Sequence, residues 1–144
     1  MLAEKKPVPR WFIVTAALAV VWNLLGVAAF VMQISMTPEM IAELPEAQQA
    51  LLESMPQWVL IAFAIAVFGG VLGALGLVLR KVWSLLFLWL SLFAVLAQQS
   101  YTFLMSDTLQ VMGVQAAVMP ALVTIIAVAL VMIARNANTR HWLS

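Results

Sequence analysis

The chain has 144 residues, of which 65% are hydrophobic and only 9% charged, and its mean hydropathy is +1.07. Soluble domains are about 45–50% apolar and about 25% charged, so a chain this short cannot enclose its apolar surface in a core of its own, and its solvent is lipid. The net charge of +1 suggests no nucleic-acid partner, and the absence of cysteine excludes disulfides, thiolate metal sites and iron–sulfur ligation.

The first long apolar run extends from Trp11 to Ile34 behind Lys5, Lys6 and Arg10. A signal-peptide core is about 7–15 residues; this longer run predicts an uncleaved span over 11–34. The loop that follows, 37–56, carries helix-start signals. Thr37-Pro38-Glu39 offers a capping hydroxyl, a proline for the first turn and an acid at the positive end of the dipole. Pro45-Glu46 can begin a second such element. Leu44, Leu51, Leu52 and Met55 share a face, away from Glu43, Glu46 and Glu53, which predicts one or two short amphipathic helices on the membrane surface or over the bundle mouth.

The second span, 57–79, holds Ala62, Ala66, Gly70 and Ala74 at four-residue spacing, with Gly69, Gly73 and Gly76 beside them. Small residues at this spacing let helix backbones approach closely in lipid. Ala66, Gly69, Gly70, Gly73 and Ala74 are therefore the expected helix-packing surface, toward a neighbour in the same bundle or toward a second chain. Arg80-Lys81 alone separates this span from the third, 82–104, and predicts a tight helical hairpin. The fourth span, 115–134, contains Pro120, expected to kink its start. Each span is long enough to cross about 30 Å of hydrocarbon, and in lipid each must be helical.

The seven Lys and Arg residues fall in the N-terminal segment, the middle turn and the C-terminal tail, whereas Glu39, Glu43, Glu46, Glu53 and Asp107 fall in the other two loops. Only Glu4 lies on the basic side. Four spans put all basic segments on one face, and the positive-inside rule makes that face cytoplasmic. Trp11, Trp83 and Trp142 fit an inner aromatic belt, and Trp58 and Tyr101 an outer one. The expected fold is thus all-α: a single membrane domain, 1–144, forming a four-helix bundle with both termini inside and short amphipathic helices in the first extracytoplasmic loop.

Uncharged polar residues inside the spans turn inward and bond across helices. At ~1.5 Å per residue, Asn23 lies about 18 Å from Trp11 and Gln98 about 25 Å from Arg80. Gln33, Tyr101, Thr102 and Gln115 lie nearer the outer surface. Ser84, Ser91 and Gln98 recur every seven residues. This outward clustering suits a polar cavity open to the outer side, with Asn23, Gln33, Gln98, Gln99, Tyr101, Thr102 and Gln115 as its candidate lining; the competing reading is interhelical glue. Trp22 beside Asn23 suits a ring-shaped ligand, or simple packing.

Catalysis has little to work with. No span contains Asp, Glu, Lys, Arg or His, which argues against a proton-driven antiporter. The single histidine, His141, sits in the tail, and neither Ser91 nor Ser100 has a base in any span. No enzyme, metal or cofactor is expected.

Trp22-Asn23-Leu24-Leu25-Gly26, Met36-Thr37-Pro38-Glu39, Leu44-Pro45-Glu46-Ala47-Gln48, Met55-Pro56 and Ala64-Ile65-Ala66-Val67-Phe68-Gly69-Gly70 resemble segments of a largely uncharacterised group of small bacterial four-helix inner-membrane proteins, some labelled "sugar transporter". The resemblance covers the first half well and the second half loosely. It implies four spans in a bacterial inner membrane and transfers no site residues. Two functions follow as expectations. In one, the protein binds or carries a neutral small molecule or lipid. In the other, it is a non-catalytic accessory subunit, packing on a partner membrane protein, or on its own copy, through the Gly/Ala-rich second helix. Membrane lipid is a partner in both.

Overall fold

The structure, a computed structural model, describes residues 7–105 and 108–144. Glu4, Lys5, Lys6 and Asp107, which entered the charge asymmetry above, lie outside the described residues. In chain order the elements are α1 (Arg10–Ile34), α2 (Pro38–Ala42), α3 (Glu46–Glu53), α4 (Gln57–Val78) and α5 (Ser84–Ser100). A π-helical turn (Tyr101–Met105), α6 (Thr108–Met112), a 3-10 turn (Val114–Ala117) and α7 (Val118–Thr139) complete the chain. Among the described residues, four helices are long and apolar enough to cross a membrane: α1, α4, α5 with its π-helical extension, and α7.

Proline marks the helix starts. Pro9, Pro45 and Pro56 precede α1, α3 and α4, and Pro38 opens α2. A proline there costs little, because the first N–H groups of a helix have no intrahelical acceptor. The Thr37 hydroxyl accepts the Met40 N–H at 3.2 Å, as the sequence pattern predicts.

Two helix ends are built alike. After α4, the Lys81 N–H bonds Gly76 O (2.8 Å) and the Arg80 N–H bonds Leu77 O (3.1 Å), with Arg80 at φ 59°. After α7, the Trp142 N–H bonds Ala137 O (2.9 Å) and the His141 N–H bonds Asn138 O (3.1 Å), with His141 at φ 60°. Both are Schellman ends whose left-handed position usually takes glycine. They also interlock. The Ser144 N–H bonds Arg80 O, the Val82 N–H bonds Ser144 O (both 3.0 Å), and Arg80 Nε donates to Trp142 O at 2.9 Å.

Lateral order follows side-chain size. α4 is the central helix, packed on α5 and on α1, and α5 carries α7 on its other side. No comparable packing joins α1 to α7. The main core lies in the half of the bundle that holds Arg10, Arg80, Lys81, Arg135 and Arg140, the basic end. It includes Phe12, Ala16, Ala74, Leu77, Leu88, Ala134, Trp142 and Leu143.

Several boundaries differ from expectation. Residue 115 belongs to the 3-10 turn, and the fourth span begins at Val118 and runs to Thr139, beyond Arg135. Long cationic side chains can reach the interface while the helix continues. Pro120 falls in the first turn of α7, where no intrahelical bond is lost. Trp142 is not a belt residue. It is 7% exposed and stands edge-on to Trp11 and Phe12, because the turn at His141 folds the chain back under the bundle.

A charge-free cavity between the four spans

The small residues of α4 decide where its neighbours can lie. A Cβ at Gly73 or Gly76 would collide with Leu88 or with Ser84, both at 2.6 Å, and one at Gly69 would come within 3.3 Å of Phe87 O. The hydroxyl of Ser91 then reaches back to donate to Ala66 O at 2.7 Å. Ala66, Gly69, Gly70, Gly73 and Ala74 are all buried, and their face is taken up inside the chain. Gly70 differs from the others in facing α1 as well, since a Cβ there would overlap the Asn23 carboxamide. The missing side chain is the space Asn23 occupies, and Asn23 Nδ2 donates to Ala19 O at 2.8 Å.

Away from the basic end the bundle opens into a cavity of about 420 Å³. Its floor is at the level of Asn23, Gly70, Ser91, Leu88 and Leu130. Its upper part is formed by Ala29, Phe63, Gln98, Gln99, Thr102 and Pro120. Ser91 and Gln98 stand about 10 Å apart along α5. Between the two levels the wall is aliphatic, with Val67, Val95, Val123 and Ala127. Trp22, Leu25 and Gly26 line it from α1, and Met119 and Ile126 from α7. Among the described residues none that lines the cavity is ionisable.

The polar groups divide by how they are already engaged. Gln99 is a strut between α5 and α7. Its Nε2 donates to Pro120 O (2.7 Å), and its Oε1 accepts from the Thr124 hydroxyl (2.5 Å). The Thr102 hydroxyl is turned back to Gln98 O (3.2 Å). The side-chain amide of Gln98 has no hydrogen-bond partner among the described residues, and it faces the cavity. An amide needs partners once shielded from water, so Gln98 has the most capacity left for an occupant, with Oδ1 of Asn23, whose Nδ2 alone is engaged, as a further acceptor.

Of the seven residues the sequence nominated, Asn23, Gln98, Gln99 and Thr102 therefore line one cavity. The other three do not. Gln33 lies beside a second, smaller hollow of about 150 Å³, where its Nε2 is 3.5 Å from Met55 Sδ. The Tyr101 hydroxyl donates to Ser54 O (3.3 Å), and its ring stands edge-on to Trp58, tying the end of α5 to the start of α4. Gln115 is exposed on the 3-10 turn. The apolar wall was invisible in the sequence, because an aliphatic residue facing a cavity looks the same as one facing lipid. Trp22 was legible only through its place next to Asn23, and Trp89 proves to be a packing residue, stacked on Phe93 and set against the core.

Comparison of the chain with protein-family models, with curated proteins and with solved structures returns no match. The reading of the site rests on its geometry.

Proposed function

We propose that the protein binds or carries an uncharged small molecule or lipid in the cavity between α1, α4, α5 and α7. One observation carries this reading: a charge-free cavity of about 420 Å³ holds an amide, that of Gln98, with no protein partner among the described residues. A lining without ions suits an occupant without charge, and one convergent amide in an apolar wall is the usual economy of a small-molecule site. No catalytic step is part of this reading.

The basic segments are the cytoplasmic ones by the positive-inside rule, which puts both termini inside and α2 and α3 on the outer membrane surface. The resemblance of the first half to small bacterial inner-membrane proteins supports a bacterial inner-membrane location. The accessory-subunit reading drew on the Gly/Ala face of α4; with that face covered by α1 and α5, such a role needs another surface.

Native mass spectrometry of the protein in lipid nanodiscs tests the proposal. The expected result is a discrete, stoichiometric adduct whose affinity falls about tenfold in Gln98→Leu, the size of one lost hydrogen bond. Gln98→Leu and Asn23→Leu that both remain folded and retain the adduct unchanged would remove the cavity from consideration.

A further inference from the structure

We infer that the cavity is loaded sideways from the bilayer, through the gap between α1 and α7, and that its occupant is an uncharged single-chain lipid bearing a hydroxyl or carbonyl group. This rests on the binding role proposed above and adds the route and the ligand class.

The route follows from which side walls are packed. Toward the basic end, the floor at Asn23 and Leu88 sits on the main core, with Phe12, Leu77, Trp142 and Leu143 beneath it. Toward the acidic end, α3 packs against α6 and Tyr101 bonds Ser54, although neither α3 nor α6 lines the cavity. Three of the four helix-to-helix sides are packed: α1 on α4, α4 on α5, and α5 on α7. The fourth side, from α7 back to α1, lacks such packing. Leu25 on α1 and Met119 on α7 both line the cavity, yet are 63% and 58% exposed. Side chains that face inside and outside at once form the rim of an opening. Leu25 lies about 22 Å along α1 from Arg10, within ~30 Å of hydrocarbon, so what stands at that opening is lipid rather than water.

The class follows from size and chemistry. A volume of about 420 Å³ is that of a small-molecule site. That is enough for part of one chain and a small polar head, and too little to enclose a two-chain phospholipid. The aliphatic wall takes the chain. The Gln98 amide takes a hydroxyl or carbonyl, and a phosphate or carboxylate would find no cation in the lining.

The test uses the full chain in phosphatidylcholine nanodiscs doped with a diazirine-bearing monoacylglycerol, irradiated and mapped by peptide mass spectrometry. Cross-links are expected on the cavity segments around Val95 and Val123, and unlabelled monoacylglycerol should compete them away. Leu25→Trp and, from the opposite helix, Met119→Trp should each narrow the gap and cut labelling at least fivefold, and Gln98→Leu should cut it about tenfold. Labelling confined to outward-facing residues such as Leu18 and Ile125, and unchanged in all three variants, would overturn the inference. A water-soluble neutral adduct found by native mass spectrometry, with no cavity cross-link from the lipid, would overturn the lateral lipid route and leave the binding reading intact. Neither adduct nor cross-link would overturn both.

Discussion

Gly70→Ala is the sharpest test of how the bundle is assembled. A Cβ at this position would overlap Oδ1 of Asn23, come within 2.8 Å of its Cγ, and lie 3.4 Å from the Ser91 hydroxyl. Asn23 must then leave its place and give up the bond to Ala19 O. Overpacking of a tight contact costs about 1–3 kcal/mol, and a polar contact in a membrane bundle about 0.6 kcal/mol, so the variant should lose roughly 1.6–3.6 kcal/mol. Gly69→Ala is the internal control. Its Cβ meets Phe87 O at 3.3 Å and Ser91 Cβ at 3.6 Å, which a shift of a few tenths of an ångström accommodates, and its loss should stay below about 1 kcal/mol. The decisive variant is Gly70→Ala combined with Asn23→Ala. With the carboxamide gone, the new methyl has room, and most of the loss should be recovered as a coupling energy of about 1–3 kcal/mol. The assay is reversible unfolding in mixed micelles, followed by far-ultraviolet circular dichroism across a dodecyl sulfate titration. If Gly70→Ala costs the same with Asn23 present or absent, the α1–α4 contact is not the one described.

Two further outcomes are expected from the same titration. His141→Gly should stabilise the protein by about 1 kcal/mol, because glycine relieves the left-handed backbone at φ 60°, whereas His141→Val should destabilise it. Gln99→Leu should cost about 0.6–1.7 kcal/mol by cutting the strut from α5 to Pro120 and Thr124, with the loss suppressed when Thr124→Val is already present.

The spans were legible in the sequence because lipid admits few alternatives. A charge-free run of this length has to be a helix, and Arg80-Lys81 has to be the turn. The packing face of α4 was legible for a related reason: Gly69, Gly70 and Gly73 present no side chain, so something must approach closely there. What approaches was not legible. That Gly70 makes room for Asn23 while Gly73 receives Leu88 depends on the rotation of each helix, and uniformly apolar sequences barely encode rotation. The candidate site shows the same division. Depth along a helix follows from a count of residues, so the level of Asn23 and Gln98 could be read. Azimuth could not, and for that reason Tyr101, at the right depth, points elsewhere; Gln115 fell outside because the fourth span begins only at Val118. The burial of Trp142 was hidden behind a turn whose left-handed position is occupied by histidine rather than glycine.

The same structure separates holding a ligand from moving it across the membrane. Transport requires the basic end to open. There α4 and α5 touch at Gly73–Leu88 and Gly76–Ser84 with no room to slide. The segment after α7 is bonded to the α4–α5 turn through Arg80, Val82 and Ser144. Opening that end would separate Phe12, Leu77 and Trp142 from the core they share and would break the bonds that interlock the two turns. The cheaper motion is elsewhere. α1 and α7 share no extensive packing, so a small outward tilt of the upper part of α1, pivoting on Phe12, Ala16 and Ala19 in the core, widens the side of the cavity and leaves the basic end closed. Under the proposed binding role, one copy of this chain would exchange its occupant with the bilayer and hold it above that floor; carrying it through would need a second surface to move against, as when two halves of a transporter rock about a shared site.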